Sequence, residues 1–172
     1  MLYRLLLLLI IFSSLFVHAG EESNNIFSIS VERPGEEVYQ SVYKSLEEAR
    51  FYVIFEANIG KNLARNARRW GDEYNKNHFE LVKSMVVCNP YYANQVMNLD
   101  PKMMALCPMT ITVMYKKGKS TVLFEKLTPV AKASAAEDVL WEVENTVITA
   151  IENGVAQCSL IFFSRLVFNQ FA

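Results

Sequence analysis

The stretch "MTITVMYKKGKSTVLFEKL", residues 109–127, decides the fold. It contains two runs rich in β-branched and aromatic side chains, joined by the polar residues 116–119, and this pattern predicts a β-hairpin. A hairpin places its two strands side by side and antiparallel, whereas neighbouring parallel strands need a longer crossover connection. The segment therefore favours an α+β domain with a mixed or antiparallel sheet over a wholly parallel one.

The chain before the hairpin alternates predicted strands and helices. Residues 26–31 alternate apolar and polar side chains, which predicts a half-buried strand. Residues 51–59 are rich in aromatic and β-branched side chains, which predicts a largely buried strand, and residues 78–88 predict a third. Between these strands, apolar residues repeat on one helical face over residues 36–50 and 63–74, so each segment predicts an amphipathic helix.

Two further helices are predicted where a short polar residue precedes a proline. Asn89 precedes Pro90, and Asp100 precedes Pro101. Asparagine and aspartate are good N-caps, and proline suits the first helical position. Both helices therefore begin within the segment that leads from the third strand to the hairpin.

A long amphipathic helix is predicted after the hairpin. Ser134 and Glu137 fit a capping box at its start, and Asn153 with Gly154 supplies the residues favoured at a helix C-terminus. The element order is then β-α-β-α-β-α-β-β-α. We therefore expect an α+β fold: a two-layer sandwich in which helices pack on a mixed or antiparallel sheet of about five strands.

The amino terminus predicts export. Arg4 precedes the apolar run of residues 5–17, and the small residues up to Ala19 form a cleavage site, as in a secretory signal peptide. The run is shorter than the roughly 20 residues that span a bilayer, which favours cleavage over anchoring. We expect residues 1–19 to be a signal peptide, cleavage near Ala19, and a periplasmic or secreted protein.

The remaining chain divides into a domain and a tail. Residues 20–154 are long enough for one α+β domain with a hydrophobic core. Residues 155–172 are apolar but are interrupted by polar side chains, and they are too short and too polar for a membrane span. This tail would form a final helix, an edge strand or a contact between copies of the chain. It also holds Cys158, most simply a small core residue.

Charge and composition exclude several classes of function. The chain has 17 basic and 18 acidic side chains, and loss of Arg4 with the signal peptide would leave a net charge of −2. A nucleic-acid partner, which would require a clustered positive excess, is not expected. His78 is the one histidine after Ala19, so no multi-histidine metal site can form. The sequence has no glycine-rich phosphate loop and no CxxC pair.

One predicted helix carries a basic outer face. Its cations are Lys61, Arg65, Arg68 and Arg69. Such a face could bind an anion or a lipid headgroup. The other explanation is a solvated helix face, because Arg68 with Asp72 and Arg69 with Glu73 have the i,i+4 spacing of ion pairs. We expected the solvated face.

Cys88 and Cys107 are the candidate chemical groups. Cys88 directly precedes the N-cap Asn89, and backbone N–H groups with the helix dipole would favour a thiolate there. Cys88 is therefore a candidate nucleophile or sulfur carrier, with Asn89 stabilising negative charge. Cys88 and Cys107 are also a candidate disulfide, which would close a loop of about 20 residues. A buried thiol that serves packing alone is the third explanation.

Methionine is concentrated around Cys107. A soft site made of Cys107, Met104 and Met109 would suit Cu(I), because thiolate and thioether ligands prefer soft metals. Methionine also fills irregular gaps in a hydrophobic core, and this explains the same residues without a metal. Packing is the expected role, so no cofactor is predicted, with copper or haem as the alternative.

Residues 86–130 resemble the central pattern of the family called domain of unknown function 302. The matching residues are Cys88-Asn89-Pro90, Asp100-Pro101, Leu106 with Pro108, and Pro129. The resemblance covers about residues 36–153 and implies a small α+β domain, with no established reaction. One residue departs from the family pattern: the second cysteine of the family follows its proline, whereas Cys107 precedes Pro108.

Three classes of function remain open from the sequence. The first is a non-enzymatic module that binds a small ligand or a protein partner, or that is accessory to a redox or sulfur pathway. The second is a thiol-dependent enzyme or sulfur carrier that uses Cys88. The third is a structural protein that forms homo-oligomers through residues 155–172. The lack of a catalytic constellation favours the first class.

Overall fold

The structure is a computed structural model that describes residues 25–168, with side chains described up to Ala156. The predicted signal peptide and its cleavage site lie outside the described residues. The side chain of Cys158 and the predicted contact through the tail lie outside them as well. Within the described range, no helix combines the length and the hydrophobicity that a membrane crossing requires.

In the part of the chain that the structure describes, five strands form one antiparallel sheet. They are β1 (Ile26–Val31), β2 (Tyr52–Asn58), β3 (Leu81–Cys88), β4 (Met109–Lys116) and β5 (Lys119–Glu125). Their order across the sheet is β1-β5-β4-β3-β2, and every neighbouring pair is antiparallel. Strands β2 to β5 therefore follow one another as a meander, and β1 pairs with the last of them.

Six α-helices accompany the sheet within residues 25–168. They are α1 (Gly35–Glu48), α2 (Ile59–Ala64), α3 (Ala67–Trp70), α4 (Pro90–Leu99), α5 (Thr128–Ala131) and α6 (Glu137–Phe168). Two short 3₁₀ helices, Gly71–Glu73 and Pro101–Leu106, follow α3 and α4. Helices α1 and α6 pack against each other over the sheet. The expected two-layer α+β fold is confirmed, and its sheet is antiparallel rather than mixed.

The hydrophobic core lies between the sheet and the α1–α6 pair. Alternate residues of the strands face it, because successive side chains of a strand point to opposite faces. In register across β3, β4 and β5, Met85 lies opposite Ile111, and Ile111 lies opposite Phe124. All three are buried, as are Val38 and Val42 of α1. The hairpin of residues 109–127 thus supplies the centre of the core.

A polar network closes one border of this core. The Tyr39 hydroxyl donates to a Glu56 carboxylate oxygen at 2.6 Å, and the Lys83 ammonium lies 3.8 Å from the centre of the Tyr39 ring. Lys83 also pairs with Glu36 at 3.0 Å, which lowers the pKa of that carboxyl group. Lys83 is on the core face of β3. Its aliphatic stem is largely buried near the Tyr39 ring, and its ammonium group is paired with the Glu36 carboxylate.

The predicted end of the last helix is wrong. Helix α6 does not stop at Asn153 and Gly154 but continues to Phe168. A Cβ atom on Gly154 would lie 2.7 Å from the Val42 Cα atom and 3.0 Å from the Ser41 carbonyl oxygen. Glycine is therefore required here for the close approach of α6 to α1, not for a left-handed helix cap.

The prediction of a largely buried second strand is also wrong. Strand β2 is an edge of the sheet, and its Ile54 and Phe55 side chains are 59% and 62% exposed. Its register with β3 shifts between Val53 and Phe55. Apolar content alone does not tell an edge strand from a central one.

The predicted amphipathic helix over residues 63–74 is broken. Helix α2 ends at Ala64, α3 ends at Trp70, and Gly71 turns the chain with a φ of 53°. Strand β3 begins at Leu81 rather than at residue 78, because His78 adopts a left-handed turn with a φ of 56°. The apolar residues repeat at helical spacing in the sequence, but none of residues 63–74 is buried in the hydrophobic core.

Candidate functional site

Cys88 and Cys107 meet in the structure. Their Sγ atoms are 3.4 Å apart, and both residues are half-buried free thiols. This distance is a contact in which one thiol donates to the other, and it exceeds the roughly 2.05 Å of a disulfide bond. The structure therefore brings the two predicted candidate residues into contact, without a disulfide bond between them.

The sheet fixes this encounter. Cys88 is the last residue of β3, and Cys107 lies two residues before β4, which is the neighbour of β3. The pairing of β3 with β4 ends at Val87 and Met109. Cys88 follows Val87 directly and Cys107 precedes Met109 by two residues, so both cysteines lie at the same end of this strand pair. Their positions depend on strand pairing rather than on a flexible loop. The departure from the family pattern at Cys107 and Pro108 does not separate the two thiols.

Asn89 has a capping role. Its Oδ1 atom accepts from the backbone N–H groups of Tyr91 at 3.0 Å and Tyr92 at 3.3 Å, and the residue is buried. The predicted N-cap with Pro90 at the first helical position is confirmed. Two of the first-turn donors of α4 are thus committed to Asn89. The helix terminus that had been expected to stabilise a Cys88 thiolate is largely satisfied internally.

The two thiols have different surroundings. Burial, and then the hydrogen bond and proximity to Cys88, raise the pKa of the Cys107 thiol to about 11. Cys107 therefore keeps its proton at neutral pH. Cys88 pairs across the sheet with Tyr52, whose side chain is 46% exposed. Cys107 is the inner thiol of the pair, and Cys88 lies beside exposed surface.

A small apolar cavity lies behind Cys107. Its walls include Phe51, Met103, Leu106 and Met109, and its volume is about 20 Å³. Space of this size holds about one water-sized group, far less than the several hundred Å³ that a small organic ligand or a haem requires. The cavity thus gives Cys107 an apolar environment rather than a ligand site.

The soft-metal hypothesis is only partly matched by this geometry. Met109 is on the same cavity wall as Cys107, whereas Met104 packs against the core without lining the cavity. Within the described residues, no cluster of three or more histidine, cysteine, aspartate or glutamate side chains could hold a metal ion. A copper site at Cys107, Met104 and Met109 stays the untested alternative to packing.

A larger groove lies between α1 and α6. It has a volume of about 470 Å³ and is lined by Glu48, Trp141, Glu142 and Asn145, among others. Trp141 is 61% exposed, and the Tyr92 hydroxyl donates to Glu142 at 2.6 Å. Sequence reasoning missed this groove, because its residues come from two helices that are far apart in the chain. An exposed tryptophan on an amphipathic helix was the available signal.

Glu144 is a buried charge that sequence reasoning missed, although its spacing from Leu140 and Val147 places it on the apolar face of α6. Its carboxylate accepts from the backbone N–H groups of Leu127 at 2.6 Å and Thr128 at 2.7 Å, and from the Thr128 hydroxyl at 3.1 Å. These donors lie at the start of α5, so a residue of α6 caps another helix. Three donors compensate the burial of this charge.

The segment that carries Cys107 is tied to the start of α6. The Ser134 hydroxyl donates to Asp100 at 2.8 Å and accepts from the Ala136 N–H group, and Glu137 accepts from the Ala133 N–H group. The predicted capping box is wrong, because Ser134 accepts from the Ala136 N–H group rather than from that of Glu137, and Glu137 accepts from Ala133 rather than from Ser134. Asp100 also caps the 3₁₀ helix that leads to Cys107. These bonds hold the inner thiol in place.

Comparison with known proteins supports the fold and adds no activity. A crystal structure of an uncharacterised conserved DUF302 protein from Bacillus stearothermophilus is similar, with a TM-score of 0.63 and 17% sequence identity. The match covers 74% of this chain and 96% of that chain. No curated protein matches the sequence. The model of the family "Domain of unknown function DUF302" matches residues 27–154. The chain therefore belongs to the DUF302 family, for which no function has been named.

Proposed function

We propose that the protein is an exported, non-enzymatic accessory module of a redox or sulfur pathway, in which Cys88 and Cys107 cycle between dithiol and disulfide. The observation that carries this proposal is the 3.4 Å contact between the two Sγ atoms, at positions set by strand pairing. Closing the bond requires an approach of only about 1.4 Å, down to the disulfide length of ~2.05 Å. An oxidising compartment would favour that closure.

The chemistry is a balanced thiol–disulfide exchange. The Cys88 thiol loses its proton and attacks one sulfur of a partner disulfide, which forms a mixed disulfide and releases one partner thiol. The Cys107 thiol then loses its proton and attacks the Cys88 sulfur, which releases the second partner thiol. The module loses two protons and two electrons, and the partner disulfide gains them as two thiols.

The surroundings of the two cysteines assign their order. Cys107 is the inner thiol, with its pKa raised to about 11, so it is a weak nucleophile at neutral pH. Cys88 pairs with Tyr52, whose side chain is exposed, and does not line the apolar cavity that Cys107 borders, so we infer that a partner meets Cys88 first. Cys88 therefore attacks first and Cys107 resolves the mixed disulfide.

Trapping of the mixed disulfide tests this order. A Cys158→Ser background removes the third cysteine of the chain and leaves the pair alone. With glutathione disulfide, Cys107→Ser in this background should accumulate a stable adduct at Cys88, and the intact pair should pass on to the internal disulfide. The measurement is the intact mass without reductant, over time.

Cys88→Ser in the same background is the matched control. It retains the inner thiol alone, and it should form the glutathione adduct at least about tenfold more slowly, because a thiol with a raised pKa carries little thiolate. Equal rates for the two variants would contradict the assigned order. A stable Cys88 adduct in the protein that keeps both cysteines would contradict the proposed exchange and support a single-thiol carrier.

A further inference from the structure

The segment of residues 59–77, here called the basic excursion, leaves the end of β2 and returns to the start of β3. It contains α2, α3 and the 3₁₀ helix Gly71–Glu73. All of its residues are described, and none of them is buried. A segment of nineteen residues that buries no side chain contributes little to the core. Packing of the core therefore does not explain why this segment is rich in basic and apolar side chains.

The excursion presents unpaired cations. Lys61, Arg65, Arg68 and Arg69 are exposed. The ion pairs of Arg68 and Arg69 that the sequence predicted do not form within the described residues, because the chain turns at Gly71. The ion pair of the excursion joins Lys76 to Glu73 at 2.6 Å. The predicted ion pairs are therefore wrong, whereas the expected exposure of these four cations to solvent is confirmed.

Apolar side chains are exposed beside these cations. Leu63 is 43% exposed and Trp70 is 41% exposed, on the same two short helices. Asn58, the last residue of β2, also caps α2, so the exposed Ile54 and Phe55 lead directly into the excursion. Basic residues with interspersed tryptophan and aliphatic side chains are typical of surfaces that lie at a membrane interface.

We propose that the basic excursion docks on an anionic lipid membrane, with Trp70 and Leu63 entering the headgroup region. Charge complementarity identifies the occupant. The basic excursion carries five cations and two acids, a net charge of +3, and the whole chain carries −1, so the other residues sum to −4. An anionic surface thus attracts this segment and repels the rest, which orients the protein. The exposed aliphatic side chains of Leu63 and Ile54 suit the acyl boundary of a lipid surface, whereas they offer no stacking surface to the bases of a single-stranded nucleic acid.

Tryptophan fluorescence provides a local test. The chain has two tryptophans, Trp70 in the excursion and Trp141 in the groove between α1 and α6. The full chain with Trp141→Phe reports on Trp70 alone, and the full chain with Trp70→Phe reports on Trp141 alone as the matched control. Each protein is titrated with vesicles of phosphatidylglycerol and phosphatidylcholine, and with vesicles of phosphatidylcholine alone. Brominated acyl chains report the depth of the indole.

The proposal predicts a blue shift and bromine quenching of Trp70 on the anionic vesicles, both suppressed by salt, and no change of Trp141. Replacing the four cations by glutamine should raise the half-saturating lipid concentration about 100-fold or more, because each surface cation contributes a factor of about five. As the control, replacing Lys116, Lys117 and Lys119 of the hairpin turn by glutamine should leave the half-saturating lipid concentration unchanged.

Three outcomes would overturn the proposal. The first is no change of Trp70 emission on anionic vesicles. The second is an equal change on phosphatidylcholine alone, which would show that charge is not recognised. The third is binding of heparin or single-stranded DNA that depends on the four cations, without any response of Trp70 to vesicles.

Discussion

At the scale of single residues, the stability of the domain depends on groups whose partners are distant in sequence. Glu144 is the clearest case, because its carboxylate is buried on α6 and accepts three hydrogen bonds at the start of α5. Its spacing from Leu140, Val147 and Ile151 places Glu144 on the apolar face of α6, so periodicity indicates its burial. Its hydrogen-bond partners at the start of α5 follow from tertiary packing, so they could not be predicted from the local sequence.

Removal of the Glu144 carboxylate should destabilise the domain. Glu144→Ala leaves the Leu127 and Thr128 N–H groups without their acceptor, and we expect the free energy of unfolding to fall by about 3 kcal/mol. Glu144→Gln keeps one acceptor oxygen and should cost about half as much. Urea denaturation measures both. Glu152→Ala, at an exposed position of the same helix, is the control and should change stability by less than about 0.5 kcal/mol.

The Cys107 thiol should make the stability of the reduced protein depend on alkaline pH. Its pKa rises from the ordinary value of 9.0 to about 11 on folding. The unfolded chain therefore loses this proton at a lower pH than the folded chain. The stability contributed by the protonated thiol is complete below about pH 9 and is lost as the pH rises from about 9 to about 11.

Urea midpoints of the reduced protein between pH 8 and pH 11 measure this effect. Cys107→Ser is the control, because serine does not titrate there. Tyrosines whose pKa is also raised, such as Tyr39, contribute in the same direction to both proteins. The difference between the two proteins therefore isolates Cys107. Parallel curves over the whole range would show that Cys107 titrates alike in the folded and unfolded states.

At the scale of elements, the sequence predicted what depends on local rules. The hairpin formed where the polar turn indicated, and Asn89 and Asp100 cap the helices that follow them. Errors arose where the same local signal serves two purposes. Glycine near the end of an apolar repeat indicates a helix cap, but Gly154 permits the contact between two helices.

Substitution of Gly154 separates the two roles. Gly154→Ala would improve helix propensity by about 1 kcal/mol in an isolated helix. Here the added methyl group would lie 2.7 Å from the Val42 Cα atom, and separating the backbones should cost more than that gain. We expect a net destabilisation of about 1–3 kcal/mol by urea denaturation.

Asn153→Ala is the matched control for this substitution. Asn153 is the exposed neighbour of Gly154 in the same turn of α6, and alanine there should stabilise slightly. An increase in stability for Gly154→Ala as well would mean that the two helices are not in close contact at this position.

At the scale of the whole molecule, the α+β class and the DUF302 family were accessible from the sequence, and the sheet order was not. The hairpin excluded a wholly parallel sheet, but nothing local determined that β1 pairs with β5 or that β2 forms an edge. These pairings determine burial. They leave Ile54 and Phe55 exposed, and they bring Cys88 and Cys107 to one end of two neighbouring strands.

Oxidation of the pair should stabilise the whole domain. A bond between Cys88 and Cys107 would close a loop of about 20 residues in the unfolded chain, which corresponds to roughly 3 kcal/mol in the chain-entropy model. The free energy of unfolding of Cys158→Ser, measured with and without reductant, gives the difference. The double variant Cys88→Ser with Cys107→Ser is the control, and reductant should not change its stability.

The equilibrium between dithiol and disulfide tests the central claim most directly. The Cys158→Ser protein is equilibrated in glutathione buffers of increasing oxidised fraction, the remaining thiols are alkylated, and the intact mass is measured. We predict that both alkylation sites are lost together, in one reversible two-electron transition, as the internal disulfide forms. Retention of both sites in the most oxidising buffer, or loss of one site with a glutathione adduct in its place, would contradict the account.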